Sequence, residues 1–275
     1  SFAAPHVSGA AALLLQKNPE LENHEIKSLL VTTVQPVSDA YGQEFSLHES
    51  GSGRLDIANA YNAKLIISPT NFVINLSADQ PSIKKQLELK LIEGSLEEID
   101  VRFEGPKFIE FTHDIKNNNL QIGLNIVEEK YGEHEGKIFI NHDKIQYTIP
   151  MLIHHTEGSI SIIQENEKLF FEINHPDKWS FAKITIINSK NGNSDTISTT
   201  PDKKTSLEIY ENGEYWVDAK IKINGNTSDA FNTIKINSLS EKIEKSELRD
   251  IPEKQIILIV SIIVIIGIVG LIIRK

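Results

Sequence analysis

The chain has 275 residues, of which 40% are hydrophobic and 24% are charged, a composition ordinary for a folded protein with one large domain or two to three small ones. Its formal net charge of −10 argues against a nucleic-acid partner, because no basic patch offsets the repulsion from phosphate. The absence of cysteine excludes disulfides, thiolate metal sites and cysteine nucleophiles.

The first 62 residues are predicted to be helical. The opening stretch SFAAPHVSGAAALLLQK forms one helix, and Asn23 is the predicted N-cap of a second one, HEIKSLLVTT. In that second helix, four residues recur at the spacing of one helix face, and they are Ile26, Leu29, Leu30 and Thr33. RLDIANAY is a short third helix, and Asp56 is interpreted as its start residue rather than as a catalytic acid. Sixty helical residues without a sheet make a poor domain, so we expect a segment upstream to complete their core.

Strands dominate the next part of the chain. QLELKL, QYTIPMLI and EYWVDAKIKI alternate apolar and polar residues with a period of two, which is typical of half-buried antiparallel strands. The turn signals are Asn191-Gly192, Asn212-Gly213 and Asn224-Gly225. We predict two β-sandwiches of the immunoglobulin-like or fibronectin type, at residues 63–157 and 158–238. Pro150 predicts that its strand lies at a sheet edge.

The C-terminal part of the sequence predicts a membrane anchor. Residues 256–273 carry no charge, and a helix of this length nearly spans a hydrocarbon core of about 30 Å. A buried core helix is the alternative, but such helices are seldom apolar on every face. We therefore predict a transmembrane helix at 255–273, preceded by a charged stalk at 239–254.

By the positive-inside rule alone, the charges that flank the span would place the β-rich region inside the cell. The basic residues before the span outnumber the two after it, and they are Lys242, Lys245, Arg249 and Lys254. We nevertheless expect the bulk of the chain outside the cell and a short cytoplasmic tail, because a large β-rich region precedes the span.

The opening stretch SFAAPHVSGAAALLL resembles the nucleophile segment of the subtilisin-like serine proteases, the subtilases. The matching positions are Ser1, Phe2, Ala3, Ala4, Pro5, His6, Val7, Ser8 and Gly9. Phe2 stands where the family more often has methionine. NPELENHEIKSLLVTT and GSGRLDIANAY follow in the family's order, so the resemblance covers about residues 1–62.

This resemblance implies a subtilisin-like α/β catalytic domain of which residues 1–62 form the helical C-terminal end. It makes Ser1 the catalytic nucleophile, and it implies that the general-base histidine, the orienting aspartate and an oxyanion-hole asparagine all precede residue 1. His6 is then structural, since it lies five residues along the same helix and its side chain points away from that of Ser1. The chain is therefore expected to be a piece of a longer protease that begins at its nucleophile.

The physical chemistry of Ser1 agrees with this interpretation. Free N–H groups and the helix dipole at a helix N-terminus favour negative charge on a serine oxygen or on an adjacent oxyanion. Pro5 is tolerated in the first turn, and small residues such as Ala3 and Gly9 would allow the helix to approach a sheet closely. Two alternatives remain for Ser1, a simple N-cap and an N-terminal nucleophile whose own amine is the base. The second usually requires a strand rather than a helix.

Three other sets of residues are candidates for a metal site, a calcium site or glycosylation. His154 and His155 are neighbours on a strand, so they face opposite sides and cannot chelate one metal; we predict surface histidines. The acidic residues around Tyr131-Gly132 could conceivably hold calcium, but they fit no EF-hand and a solvated turn is the favoured interpretation. Asn75-Leu-Ser77 and Asn226-Thr-Ser228 match the glycosylation pattern, which also arises by chance.

The sequence therefore predicts a membrane-anchored serine endopeptidase with Ser1 as nucleophile. Polypeptide substrates and membrane lipid are its expected partners, nucleic acid is not, and no cofactor or metal ligand is assigned. The alternative is a surface adhesin with a degenerate protease portion. The chain by itself is expected to be inactive, because it carries one member of a triad.

Overall fold

A computed structural model describes residues 1–96 and 99–237, and Ser1–Asn237 form one compact unit. The predicted stalk at 239–254 and the predicted span at 255–273 lie outside the described residues. Within the described ranges, no helix combines the length and the apolar character needed to cross a membrane.

Helices make up the first part of the chain, as the sequence predicts. They are α1 (Ala3–Lys17), α2 (Asn23–Thr32), α3 (Leu47–Ser50) and α4 (Ile57–Asn62). Asn23 is not the N-cap of α2; the cap is Glu22, which forms a capping box with Glu25. Asp56 does cap α4, since its side chain accepts a hydrogen bond from the Asn59 N–H at 2.9 Å. The one-turn helix α3 is not predicted by the sequence pattern, but Ser46 and Glu49 form a capping box there too.

The first set of strands builds two four-stranded sheets. Its strands are β1 (Leu65–Ser68), β2 (Phe72–Ser77), β3 (Ser82–Leu91), β4 (Asp100–Glu104), β5 (Ile109–Lys116), β6 (Asn119–Ile126), β7 (Gly132–His142) and β8 (Ile145–Thr156). One sheet has the order β1-β3-β6-β5 and the other β2-β8-β7-β4. Residues from both sheets belong to one hydrophobic core, which makes this unit a sandwich.

The second set of strands also builds two sheets, of three and four strands. Its strands are β9 (Ser159–Glu165), β10 (Lys168–Asn174), β11 (Phe181–Asn188), β12 (Ser194–Thr199), β13 (Thr205–Glu208), β14 (Gly213–Ile223) and β15 (Asn226–Ile236). The orders are β13-β10-β9 and β12-β11-β14-β15. The described chain is therefore mostly β-sandwich, with few helices.

The period-two patterns correctly predict the central strands. In β14 the apolar positions of EYWVDAKIKI are buried and the intervening ones are not. In β8, Tyr147, Ile149 and Ile153 are all fully buried. The β14–β15 hairpin turns at Asn224 and Gly225, both at positive φ, as its Asn-Gly signal predicts.

The prediction that Pro150 marks an edge strand is wrong. Its strand β8 lies between β2 and β7 in the sheet. The parallel pairing with β2 begins only at Phe72↔Met151, so Pro150 stands one residue before the point where β8 becomes paired on both sides. A missing N–H is tolerated at that position because β2 offers no partner there.

The helices complete their core with the first sandwich and not only with an upstream segment. Ala10, Leu14, Ile26 and Leu29 belong to the same buried cluster as residues of both sheets. The Ser28 hydroxyl lies between α2 and β1, where it donates to the Ile67 carbonyl at 2.8 Å and accepts from the Ile67 N–H at 2.9 Å. This explains how the helical segment folds on strands that follow it in sequence.

A buried tyrosine also holds the start of β1. The Tyr147 hydroxyl accepts hydrogen bonds from the backbone N–H groups of Lys64 and Leu65, each at 3.0 Å. Burial and these contacts act in opposite directions on this phenol, and burial dominates, so the pKa of Tyr147 is raised. The hydroxyl therefore stays neutral and serves as an acceptor for both amides.

Candidate active-site segment and its surroundings

Ser1 lies immediately before helix α1 and is exposed. Phe2 is the N-cap residue, with helical dihedral angles, and no side chain caps this end of the helix. Ser1 is therefore not an N-cap, and the alternative of a purely capping serine is not realised. The N–H groups of the first turn have no helical partner, so the end of α1 next to Ser1 carries partial positive charge.

His6 uses its ring on the backbone of its own helix. Its Nδ1 lies 2.7 Å from the carbonyl oxygen of Phe2, four residues earlier. In the part of the chain that the structure describes, no hydrogen bond joins His6 to Ser1. This contact fixes the start of α1, as expected for a structural histidine rather than a base.

Helix α1 contacts the rest of the structure through its C-terminal half. Ala10 and Leu14 are buried against α2 and α4. The Lys17 ammonium donates to the Tyr61 carbonyl at 2.5 Å and lies 4.7 Å from the centre of the Tyr61 ring. The last turn of α1 is thus fixed to α4, and the first turn projects from this anchored end.

The first turns of α1 are open in the described structure. Phe2 is 89% exposed, Val7 is also exposed, and a Cβ added at Gly9 would meet no atom within 4 Å. The close approach to a sheet that the small residues predict is therefore not made by any described strand. An apolar helix surface of this kind, next to an exposed serine, is available for contact with further protein.

Helix α2 is fastened by a buried carboxylate that sequence reasoning missed. Glu25 is only 2% exposed, its Oε2 accepts from the Glu22 N–H at 3.0 Å, and its Oε1 pairs with the Lys90 ammonium on β3. Burial raises the pKa of Glu25, but the hydrogen bonds from Lys90 and Glu22 outweigh it, and the pKa lies below its ordinary value. The capping-box pattern could have indicated this carboxylate, although not its partner.

Strand β7 carries acidic side chains that bind the helical segment. Both carboxylate oxygens of Glu135 accept from the Leu47 N–H at 2.9 Å, so they satisfy a free donor at the start of α3. Glu133 Oε1 lies 2.6 Å from His48 Nε2. The hydrogen bond and charge of Glu133 raise the pKa of His48. The prediction of a solvated turn is therefore wrong for these two glutamates, because they lie on a strand that docks α3.

The prediction of two surface histidines is wrong, although they do face opposite sides. His155 is 1% exposed, and its Nδ1 donates to the Lys130 carbonyl at 2.9 Å. His154 is half-buried and stacks on Phe231 of the second sandwich with ring centres 4.5 Å apart. Burial lowers the pKa of His154, and this effect outweighs the charges of Glu133 and Asp218, which raise it. Both rings are covered by residues distant in sequence, which local patterns do not reveal.

Residues 1–96 and 99–237 bring together no three His, Asp or Glu side chains that could hold a metal ion. The two glycosylation patterns differ in setting. Asn75 lies within β2, where its side-chain oxygen is buried without a hydrogen-bond partner, whereas Asn226 is exposed at the start of β15.

The sequence model of the Subtilase family matches residues 1–53. The chain is 22% identical to the minor extracellular protease Vpr of Bacillus subtilis (strain 168), over 51% of this chain and 19% of that protein. It is 35% identical to the subtilisin-like protease SBT1.6 of Arabidopsis thaliana, over 26% of this chain and 10% of that protein. The chain thus spans a fifth or less of the length of these relatives.

Solved structures of β modules are only distantly similar to the chain. The fibronectin type III domain of human collagen alpha-1(XX) is 11% identical, with a TM-score of 0.28 over 31% of this chain and 84% of that one. An I-band fragment of titin is 8% identical, with a TM-score of 0.29 over 63% of this chain and 65% of that one.

Proposed function

From the premise that residues 1–53 are the C-terminal part of a subtilase domain, we propose that this chain belongs to a serine endopeptidase in which Ser1 is the nucleophile. The observation that carries the proposal is the family match to residues 1–53, which includes this serine. Its exposure and its position before α1 support the same role, because a substrate carbonyl can reach the hydroxyl there.

The proposed chemistry is acyl transfer. Ser1 Oγ attacks the peptide carbonyl carbon while a histidine from the preceding part of the protein accepts the hydroxyl proton, and an aspartate from the same part orients that histidine. The histidine then protonates the departing amine as the C–N bond breaks, and water hydrolyses the acyl-enzyme. The Ser1 N–H, at the positive end of α1, would be one donor to the oxyanion.

Peptide-bond hydrolysis by Ser1 can be tested on the full-length gene product with a fluorophosphonate probe, which labels activated serines. The expected result is labelling that is lost in Ser1→Ala and retained in a control, Ser8→Ala, since Ser8 is an exposed serine on the same helix. Equal labelling of the wild type and Ser1→Ala would remove Ser1 as nucleophile. Absence of labelling in a folded wild-type protein would favour the adhesin alternative.

We also propose that the protein is anchored to the cell membrane by residues 255–273, with its bulk outside and a short cytoplasmic tail. The support is the uncharged run at 256–273 in the sequence. The sandwiches would then hold the catalytic segment away from the lipid. Deletion of 255–275 should move the protein from a carbonate-washed membrane fraction to the soluble fraction, and retention in the membrane would contradict the anchor.

A further inference from the structure

The second sandwich contains a cleft that the protease chemistry does not use. Its volume is about 380 Å³, within the range of small-ligand sites. One wall is formed by β10 and by Trp179, and the other by the loop 200–204 between β12 and β13. Phe170 and Trp179, both half-buried, are the aromatic residues available to the cleft, whereas Phe171 lies on the opposite, buried face of β10.

The loop that closes the cleft is braced by its own hydrogen bonds. The Thr205 hydroxyl donates to the Thr199 hydroxyl at 2.7 Å, and Thr199 donates to the Lys203 carbonyl at 3.1 Å. The Lys203 N–H also donates to the Thr200 carbonyl at 3.0 Å. Because the loop is fixed before any ligand arrives, binding would cost little ordering entropy.

Four side chains that line the cleft have no partner within the described part of the chain. Among the residues that the structure describes, the side chains of Trp179, Glu172, Asp202 and Lys203 make no hydrogen bond or ion pair, although all four line the cleft. Trp179 is half-buried, and its indole N–H is accessible to solvent and so to a ligand. The cleft therefore offers one indole donor, one ammonium donor and two carboxylate acceptors to a ligand.

The charges on the cleft favour a neutral ligand. Glu172 and Asp202 balance Lys203 and Lys204, and Lys204 already lies 4.5 Å from the centre of the Phe170 ring. A sugar ring has an apolar C–H face that can lie on an aromatic ring, and its hydroxyls both donate and accept hydrogen bonds. We propose that this cleft binds a sugar unit of a neutral oligosaccharide, with Trp179 as the stacking surface.

A peptide strand fits the site less well. Peptides that bind to sheets usually extend a free strand edge and use backbone hydrogen bonds. The strand that borders the cleft at its edge, β13, has only four residues, and only the last three residues of β10 extend past it with an unpaired edge, which is too short for a full added strand. This assignment does not depend on Ser1 being a nucleophile.

The experiment uses the full chain in detergent and soluble hexasaccharides as probes, namely cellohexaose, chitohexaose, maltohexaose and mannohexaose. The chain has two tryptophans, so a Trp216→Phe background leaves Trp179 as the single tryptophan reporter. Trp216 is itself an exposed control, because it lies on β14 and does not line the cleft. Binding of at least one hexasaccharide should change the Trp179 fluorescence and give a calorimetric isotherm.

Trp179→Ala should weaken that binding by at least about tenfold, which is about 1.4 kcal/mol, whereas Trp216→Ala should leave it unchanged. If Trp179→Ala fails to fold, Asp202→Asn and Lys203→Ala on the exposed loop should each weaken binding instead. The proposal is overturned if none of the four probes binds at concentrations up to about 10 mM. Any binding would then have a free energy weaker than about 3 kcal/mol. It is also overturned if an unstructured peptide binds in a Trp179-dependent way while the sugars do not.

Discussion

The Glu25 carboxylate and the Lys90 ammonium form an ion pair that fastens helix α2 to strand β3. The two charges differ in setting, because the Glu25 side chain is 3% exposed while that of Lys90 is mostly in solvent. The carboxylate is thus buried in the layer between the helices and the first sandwich, and it depends on one flexible partner that reaches in from outside.

Removing that partner should destabilise the protein more than removing an exposed pair. Lys90→Met leaves the Glu25 charge buried without its charged partner, so we expect a measurable fall in the free energy of unfolding. Lys116→Met is the matched control, because its partner Asp114 is exposed and a pair in solvent contributes little to stability. Urea denaturation measures both, and equal effects would show that burial of Glu25 has no energetic weight.

The acid side of the stability curve should also depend on Glu25. Its folded-state pKa lies below the ordinary value, so the stability it contributes is fully present above the unfolded-state pKa and is lost as the pH falls through the folded-state pKa. Glu25→Gln should therefore flatten the decline of stability below about pH 4.5, which is the ordinary value of the group. A decline as steep as in the wild type would assign acid unfolding to other carboxylates.

Two histidines on either side of Glu133 should respond to pH with opposite signs. The pKa of His48 is raised, so its contribution is present below the unfolded-state pKa and is lost as the pH rises through the folded-state pKa. The pKa of His154 is lowered by burial, so the native state loses stability as the pH falls from the unfolded-state pKa through that lowered pKa.

Denaturation midpoints between about pH 5 and 8 separate these two effects. The difference between wild type and His48→Gln should shrink as the pH rises. His154→Phe, which keeps an aromatic ring against Phe231, should lose less stability on acidification than the wild type does. The same pH trend in both variants would contradict the opposed settings of the two rings.

Tyr147 allows a one-atom test of how the start of β1 is held. Tyr147→Phe removes the acceptor of the Lys64 and Leu65 N–H groups and should cost about 1–3 kcal/mol for each donor left unsatisfied. Tyr41→Phe is the control, since Tyr41 is 95% exposed, and it should change stability by less than about 0.5 kcal/mol. Thermal unfolding measures both, and a neutral Tyr147→Phe would mean that other groups take over the two donors.

The chain of residues 1–275 should hydrolyse peptide nitroanilides no faster than its own Ser1→Ala variant does. The reason is that a serine without its base keeps only a small part of the catalytic rate. Liberation of nitroaniline can be followed by absorbance at equal protein concentrations. A rate that depends on Ser1 in this chain would show that its base lies within residues 1–275.

Local sequence patterns predict the helices, strands and caps of this fold better than they predict which elements lie next to one another. The alternation of β14 and the Asp56 cap of α4 are local, because each depends on residues within a few positions. The edge prediction for Pro150 fails because its tolerance depends on where β2 begins to pair, which is decided about 80 residues away. The surface prediction for His155 fails because the rings that cover it come from other strands and loops, including Phe108 and Tyr131.

The same distinction between local and distant residues applies to the candidate sites. The residues that suggest Ser1 as a nucleophile are contiguous, so the sequence alone could lead to this proposal. The carboxylates that dock α3, and the cleft beside Trp179, are assembled from residues far apart in the chain. No pattern in a single stretch could indicate them, since each side chain looks like an ordinary surface residue by itself.

The shared core of the helices and the first sandwich has a consequence for protein engineering. Dividing the polypeptide between positions 62 and 63 would separate Leu14 and Leu29 from the strands that bury them, so neither product would keep an intact interior. Moving this β module to another protein, or trimming it to shorten the chain, would expose apolar surface on the helix that follows Ser1.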